Sequence, residues 1–268
     1  MSHEIALSFL DRPEILEIIF PVVYSPFYFS SVSANSLSSA TTHFIEVEEG
    51  IRIGCGFWTR GKKFPTVLYF HGNGETVRDH DWIAKFYIQI GVNLFVADYR
   101  GYGLSDGKPT ITSLIRDSHT IFRGFKKLIE EGEYEPKLFL MGRSLGNIPA
   151  VELAYHYQEE FKGLIVESGS ANTFRRLWGY LDSSERERLS REKFLNKEKI
   201  KSVLIPTCII HGERDQIIPV QEGLELYENS GAADKDILII SGADHNDLMI
   251  RGHGQYFTKI EDFVKRNS

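Results

Sequence analysis

The chain has 268 residues, of which 42% are hydrophobic and 25% charged, and a formal net charge of −6. That composition suits a globular protein with a substantial core and gives no basic footprint for nucleic acid. No run reaches the 18 or so apolar residues of a membrane span. The two cysteines, Cys55 and Cys208, each lie in an apolar strand-like run without metal-ligand spacing. They are expected to be small buried hydrophobes in a reducing compartment, with no disulfide scaffold and no metal site.

In chain order, residues 1–42 read as a lead-in segment rather than a domain. DRPEILEIIF at 11–20 has the pattern of a short amphipathic helix with Pro13 in its first turn and Pro21 as its stop. The acidic residues in this segment argue against a cleaved signal, and a cytoplasmic location is expected. Residues 43–268 read as one domain. HFIEVEEGIRIGCGFWT at 43–59 alternates around Glu49-Gly50, as an antiparallel hairpin does. Apolar runs at 65–70, 92–97, 138–141, 163–168, 203–210 and 236–240 then alternate with helical patterns at 76–90, 109–131, 148–157, 220–230 and 252–266. That alternation predicts an α/β fold: a mostly parallel, eight-stranded sheet with the hairpin at its N-terminal side and helices on both faces. Polar, charged residues 170–200 interrupt the alternation, as an inserted helical cap does.

The chemistry concentrates at Gly142-Arg143-Ser144-Leu145-Gly146. A G-x-S-x-G pentapeptide between a buried strand and a helix is the context of a nucleophile elbow. The turn is too tight for side chains at the flanking glycines, and it throws the central serine out at the strand end. In an open parallel sheet, ligands bind beyond the carboxyl ends of the strands. At those ends stand His71-Gly72-Asn73-Gly74, Ser144, Asp215 and His245. Ser144 is the expected nucleophile. His245 is the expected base, since imidazole titrates near neutrality. Asp215 is the expected acid that orients it, with Glu167 as a rival. Asp244 and Asp247 are expected to shape the histidine loop or to tune the His245 pKa. The Leu145 N–H is one expected oxyanion donor, and Asn73 or Gly74 supplies the other. His71, His211, Asp98 and Arg100 read as structural residues of their loops.

HGNG at 71–74, DYRGYGLSDG at 98–107, GRSLG at 142–146, IIHGERDQIIP at 209–219 and GADHNDL at 242–248 together resemble the α/β-hydrolase superfamily. They are most similar to the branch that includes protein depalmitoylases and many uncharacterised serine hydrolases. The chain departs from those depalmitoylases in having no cysteine before Cys55, so their lipid-anchoring cluster is not expected. The resemblance implies a serine hydrolase that cleaves an ester or thioester of a small-molecule or acyl substrate through an acyl-enzyme, with no cofactor. Amide or peptide hydrolysis on the same residues, or a non-catalytic binding module, are the alternatives. In the cap, Phe174, Leu177, Trp178 and Tyr180 are candidates to cover the site and set acyl preference, with packing within the cap as the alternative.

Overall fold

A computed structural model of the chain describes residues 7–24, 39–191 and 193–268. Its short apolar runs pair into one eight-stranded sheet. The strands are β1 (Thr41–Glu48), β2 (Ile51–Trp58), β3 (Thr66–Phe70), β4 (Asn93–Ala97), β5 (Leu138–Arg143), β6 (Gly163–Glu167), β7 (Thr207–Gly212) and β8 (Lys235–Ile240). Their order is β1-β2-β4-β3-β5-β6-β7-β8. β1 and β2 form the expected hairpin, turned at Gly50 with φ +73°, and β2 also meets β4 antiparallel. Every remaining pair is parallel.

Strand side chains alternate between two cores. Leu68 and Phe70 of β3 and Leu138 and Leu140 of β5 face one, while Val67, Tyr69, Phe139 and Met141 face the other. Burial on both faces is why these strands read as continuous apolar runs rather than as alternating ones. Helices α1 (Pro13–Ile19), α3 (Ile111–Glu131) and α4 (Asn147–Tyr157) cover the first face. Helices α2 (Asp81–Gln89) and α7 (His253–Asn267) cover the second. α5 (Ser183–Arg191) and α6 (Val220–Asn229) each send one leucine, Leu189 and Leu226, into the first core.

Several boundaries differ from the sequence reading, among them the start of α2, which is Asp81 after a 3₁₀ turn at Val77–His80 rather than 76. α3 starts at Ile111 rather than Pro109, because Thr110 caps it: its Oγ1 accepts from Ser113 N at 2.9 Å and its N–H donates to Ser113 Oγ at 2.8 Å. β7 starts at Thr207 rather than 203; residues 200–202 make a 3₁₀ turn and Pro206, which has no N–H to donate, immediately precedes the strand. Pro21 opens a further helical turn, Pro21–Tyr24, as a proline suits a first helical position. Residues 170–200 are a chain of short helices between β6 and β7. No described helix is long and apolar enough to cross a membrane.

The first-core face also receives the N-terminal segment. Leu7, Leu10, Ile15, Leu16 and Phe20 are buried there, each contributing about 1.5–3 kcal/mol by leaving water. This packing brings Ile18 and Ile19 to the carboxyl end of the sheet, beside the loops that carry the polar residues.

Candidate active site

β5 ends in a turn that only its glycines permit. A Cβ on Gly142 falls 2.4 Å from the Gly146 carbonyl oxygen, and a Cβ on Gly146 falls 2.0 Å from that of Phe70. Between them Ser144 takes φ +51°, the left-handed region that a serine occupies only at a cost of about 1–3 kcal/mol. The strain is held by strand β5 on one side and by the 3₁₀ turn Ser144–Gly146 leading into α4 on the other.

Loops after β7 and β8 bring two further side chains to this serine. His245 Nδ1 lies 2.7 Å from Asp215 Oδ2, and His245 Nε2 lies 2.9 Å from Ser144 Oγ. A carboxylate only accepts, so Nδ1 carries the proton of the neutral ring and Nε2 presents its lone pair to the serine hydroxyl. Asp215 is itself fixed: its Oδ1 accepts from the N–H groups of Ile217 (2.9 Å) and Ile218 (2.8 Å). Burial alone would raise its pKa. Hydrogen bonds from His211, His245 and the Ile218 amide outweigh burial and hold the carboxyl well below its ordinary range. Asp215 is therefore an anion wherever the protein is folded near neutrality.

The loop after β3 closes the other side. Gly74 takes φ +84° in this turn. The Asn73 side chain is held at both ends: Nδ2 donates to Ile19 O and Oδ1 accepts from Tyr102 OH, each at 2.7 Å. The Asn73 backbone N–H makes no hydrogen bond among the described residues. The Leu145 N–H belongs to the first turn after the elbow, where helical amides lack an intrahelical partner. His71, fully buried, has Nδ1 2.8 Å from Gly72 O and Nε2 3.2 Å from Asp98 Oδ1. Burial lowers its pKa, but these two acceptors together raise it above the ordinary value.

The other residues singled out in the sequence have structural contacts. Glu167 makes no hydrogen bond to the imidazole among the described residues; it accepts from Arg143 Nε (3.2 Å) and Tyr256 OH (2.7 Å). Asp244 accepts from the amides of Asn246 and Asp247, and so shapes the histidine loop. His211 donates from Nε2 to Ile218 O at 2.8 Å. Arg100 pairs with Asp117 and Glu48. None of the four cap candidates Phe174, Leu177, Trp178 and Tyr180 lines the cleft at Ser144, and two of them take the packing role. Phe174 and Leu177 are fully buried in the core, and Trp178 and Tyr180 are 42% and 54% exposed.

A cleft of about 90 Å³ opens at Ser144. Ile18, Ile19, Leu145, Ile148, Ile217 and Ile218 form its apolar walls, and Thr173 and Arg176 are what residues 170–180 contribute besides Ser170. The isoleucines of α1 were not flagged by the sequence, because their place in the cleft depends on where that helix docks. No carboxylate lines the cleft among the described residues. Away from it, His119, Glu152 and His156 have metal-ligand spacing. Lys199 Nζ lies 2.5 Å from the second Glu152 oxygen, so the carboxylate already has its countercharge and the cluster reads as a buried ion-pair network.

Comparison with known proteins identifies the family and the fold. A family model described as serine aminopeptidase, S33, matches residues 61–177. The alpha/beta hydrolase domain-containing protein 17C of Xenopus tropicalis is 31% identical over 223 residues, which cover 81% of this chain and 67% of the relative. The chain belongs to the α/β-hydrolase superfamily. Its human relative, alpha/beta hydrolase domain-containing protein 17B, is also 31% identical, over 81% of this hydrolase and 73% of the relative. An esterase from Pyrococcus furiosus shares the fold with a TM-score of 0.67 at 19% identity, over 85% of this chain and 92% of that one.

Proposed function

We propose that this hydrolase cleaves carboxylic ester or thioester bonds through an acyl-enzyme on Ser144. The reading rests above all on one observation: the Asp215–His245–Ser144 hydrogen-bond chain ends at a strained serine facing an apolar cleft. In this scheme His245 Nε2 takes the Ser144 proton as Oγ attacks the acyl carbon. The tetrahedral oxyanion is received by the Asn73 and Leu145 N–H groups, with Gly74 setting the turn between them and the next residues. His245 then returns the proton to the leaving alcohol or thiol, and the cycle repeats with water. Asp215 keeps the productive tautomer and stabilises the imidazolium. The chemistry calls on no metal or organic cofactor.

An aminopeptidase reading, which the matched family model's description invites, requires an anion to hold the substrate's α-ammonium. Among the described residues the cleft offers Arg176 as its charged residue and no carboxylate, which favours the ester reading. The free thiols Cys55 and Cys208 are both buried. Burial raises the first well above its ordinary pKa and the second to about 12, so both are inert, in keeping with a cytoplasmic protein.

The test is hydrolysis of p-nitrophenyl esters from acetyl to palmitoyl by wild type and Ser144→Ala, with fluorophosphonate labelling alongside. Turnover and labelling by wild type, both lost in Ser144→Ala, are expected. Absence of both in wild type points instead to a binding module.

A further inference from the structure

Arg143, the residue before Ser144, is buried although it carries a full charge. Its guanidinium reaches four partners from three separate segments. Nε donates to Glu167 Oε1 on β6 at 3.2 Å. Nη1 donates to Glu75 Oε1 in the loop after β3 at 2.5 Å. Nη2 donates to the His245 carbonyl at 2.9 Å and to Asn246 Oδ1 at 3.3 Å. Each carboxylate passes the constraint on. Glu75 Oε2 accepts from Gly72 N at 2.7 Å, and Glu167 Oε2 accepts from Tyr256 OH on α7 at 2.7 Å. Gly72 is part of the same fit, since a Cβ there falls 2.5 Å from Arg143 Nη1.

We propose that Arg143 is a positioning residue that fixes the loop carrying the Asn73 N–H and the loop carrying His245 in register with Ser144. The proposal rests on the ester-hydrolysis reading above. The guanidinium suits the task because it is a rigid planar fork with five donors, aimed in three directions at once. It holds the histidine by its main-chain carbonyl, so the ring remains free to exchange protons. It holds the oxyanion loop through Glu75, which bonds the Gly72 N–H one residue before the Asn73 amide. A lysine supplies the charge without the fork and satisfies at most part of this set. A displacement of about 1 Å at a reacting group costs on the order of a hundredfold in rate.

The experiment compares wild type, Arg143→Lys, Arg143→Gln and Arg143→Ala in p-nitrophenyl butyrate hydrolysis and in the rate of fluorophosphonate labelling, with circular dichroism and Tm for each. Arg143→Lys is expected to fold, to lose about a hundredfold in kcat with KM within about threefold, and to label correspondingly slowly. Millimolar methylguanidinium is expected to raise the rate of Arg143→Ala or Arg143→Gln at least tenfold and to leave wild type unchanged. Wild-type kcat in a folded Arg143→Lys overturns the proposal. So does a rise in KM alone, or a loss that tracks Tm and is not rescued by the added cation. A wild type that neither turns over ester nor labels removes the ester reading and this proposal together. An active wild type with an indifferent Arg143→Lys removes the proposal alone.

Discussion

Ser144, the proposed nucleophile, shows how little its position is chosen for stability. Its φ of +51° is tolerated because both neighbours at two residues' distance lack side chains. Gly146→Ala is expected to be the harsher of the two alanine changes. Its Cβ meets a backbone oxygen of β3, which has no rotamer to move, so α4 must shift away from the sheet. Loss of at least 1–3 kcal/mol and of measurable turnover is the expected outcome, read by urea denaturation and ester hydrolysis. Asp215→Asn separates stability from chemistry. The amide keeps the size of the carboxylate but also offers a donor toward Nδ1, which turns the ring to the wrong tautomer. A fall of about 10³–10⁴ in kcat with little change in Tm is expected. The meeting of Ser144, Asp215 and His245 was legible because each stands in the turn or loop that leaves the carboxyl end of an apolar strand run. Arg143 was not legible: the second position of G-x-S-x-G carries no pattern of its own, and Glu75, Glu167 and Asn246 are 68, 24 and 103 residues away from it.

At the scale of elements, the alternation of apolar runs and helices was enough to count the strands, because burial on both faces leaves a strong signal. Boundaries failed where a cap or a proline decides them, at Thr110 and Pro206. Docking failed more widely. The periodicity of residues 13–19 gives a helix, but its contact with the active-site loop is a tertiary fact: Ile19 O accepts from Asn73 Nδ2, and Ile18 and Ile19 wall the cleft. For the same reason the sequence left the choice between pocket and packing open for Phe174, Leu177, Trp178 and Tyr180. α1 therefore makes a testable contribution to specificity. Ile18→Trp is expected to fill part of a cleft of about 90 Å³ and to move the preferred p-nitrophenyl ester toward shorter acyl chains. Labelling by a small fluorophosphonate stays unchanged, which distinguishes narrowing from damage to the Ser144–His245 pair.

The whole molecule carries several carboxylates that folding holds ionised, and this sets its response to acid. Asp215, Glu75, Glu152 and Glu222 all have lowered pKa values; burial opposes each, and hydrogen bonds or nearby cations outweigh it. A depressed folded pKa means that the unfolded chain binds more protons as pH falls. The stabilisation is then fully present above the ordinary carboxylate range and is lost as pH drops through the folded values. Glu167 acts in the opposite sense: burial raises its pKa despite Arg143 and Tyr256, so its contribution is largest in acid and fades as pH rises. The groups with lowered values outweigh Glu167 and give a net loss on acidification. Tm is expected to fall steadily from about pH 5 downward, the window in which unfolded carboxylates begin to protonate. Glu152 offers the sharpest check because its pair is far from the cleft in function: Lys199 Nζ at 2.5 Å and the rings of His119 and His156 surround it. Glu152→Gln leaves the buried Lys199 without its anion, and a loss of about 3–5 kcal/mol at pH 7 is expected. In that variant the acid limb of the Tm profile becomes shallower, since one of the groups that drives it is gone. An unchanged limb would mean that Glu152 titrates alike in the folded and unfolded chain. The ion-pair network around it would then contribute nothing to the pH dependence of the fold.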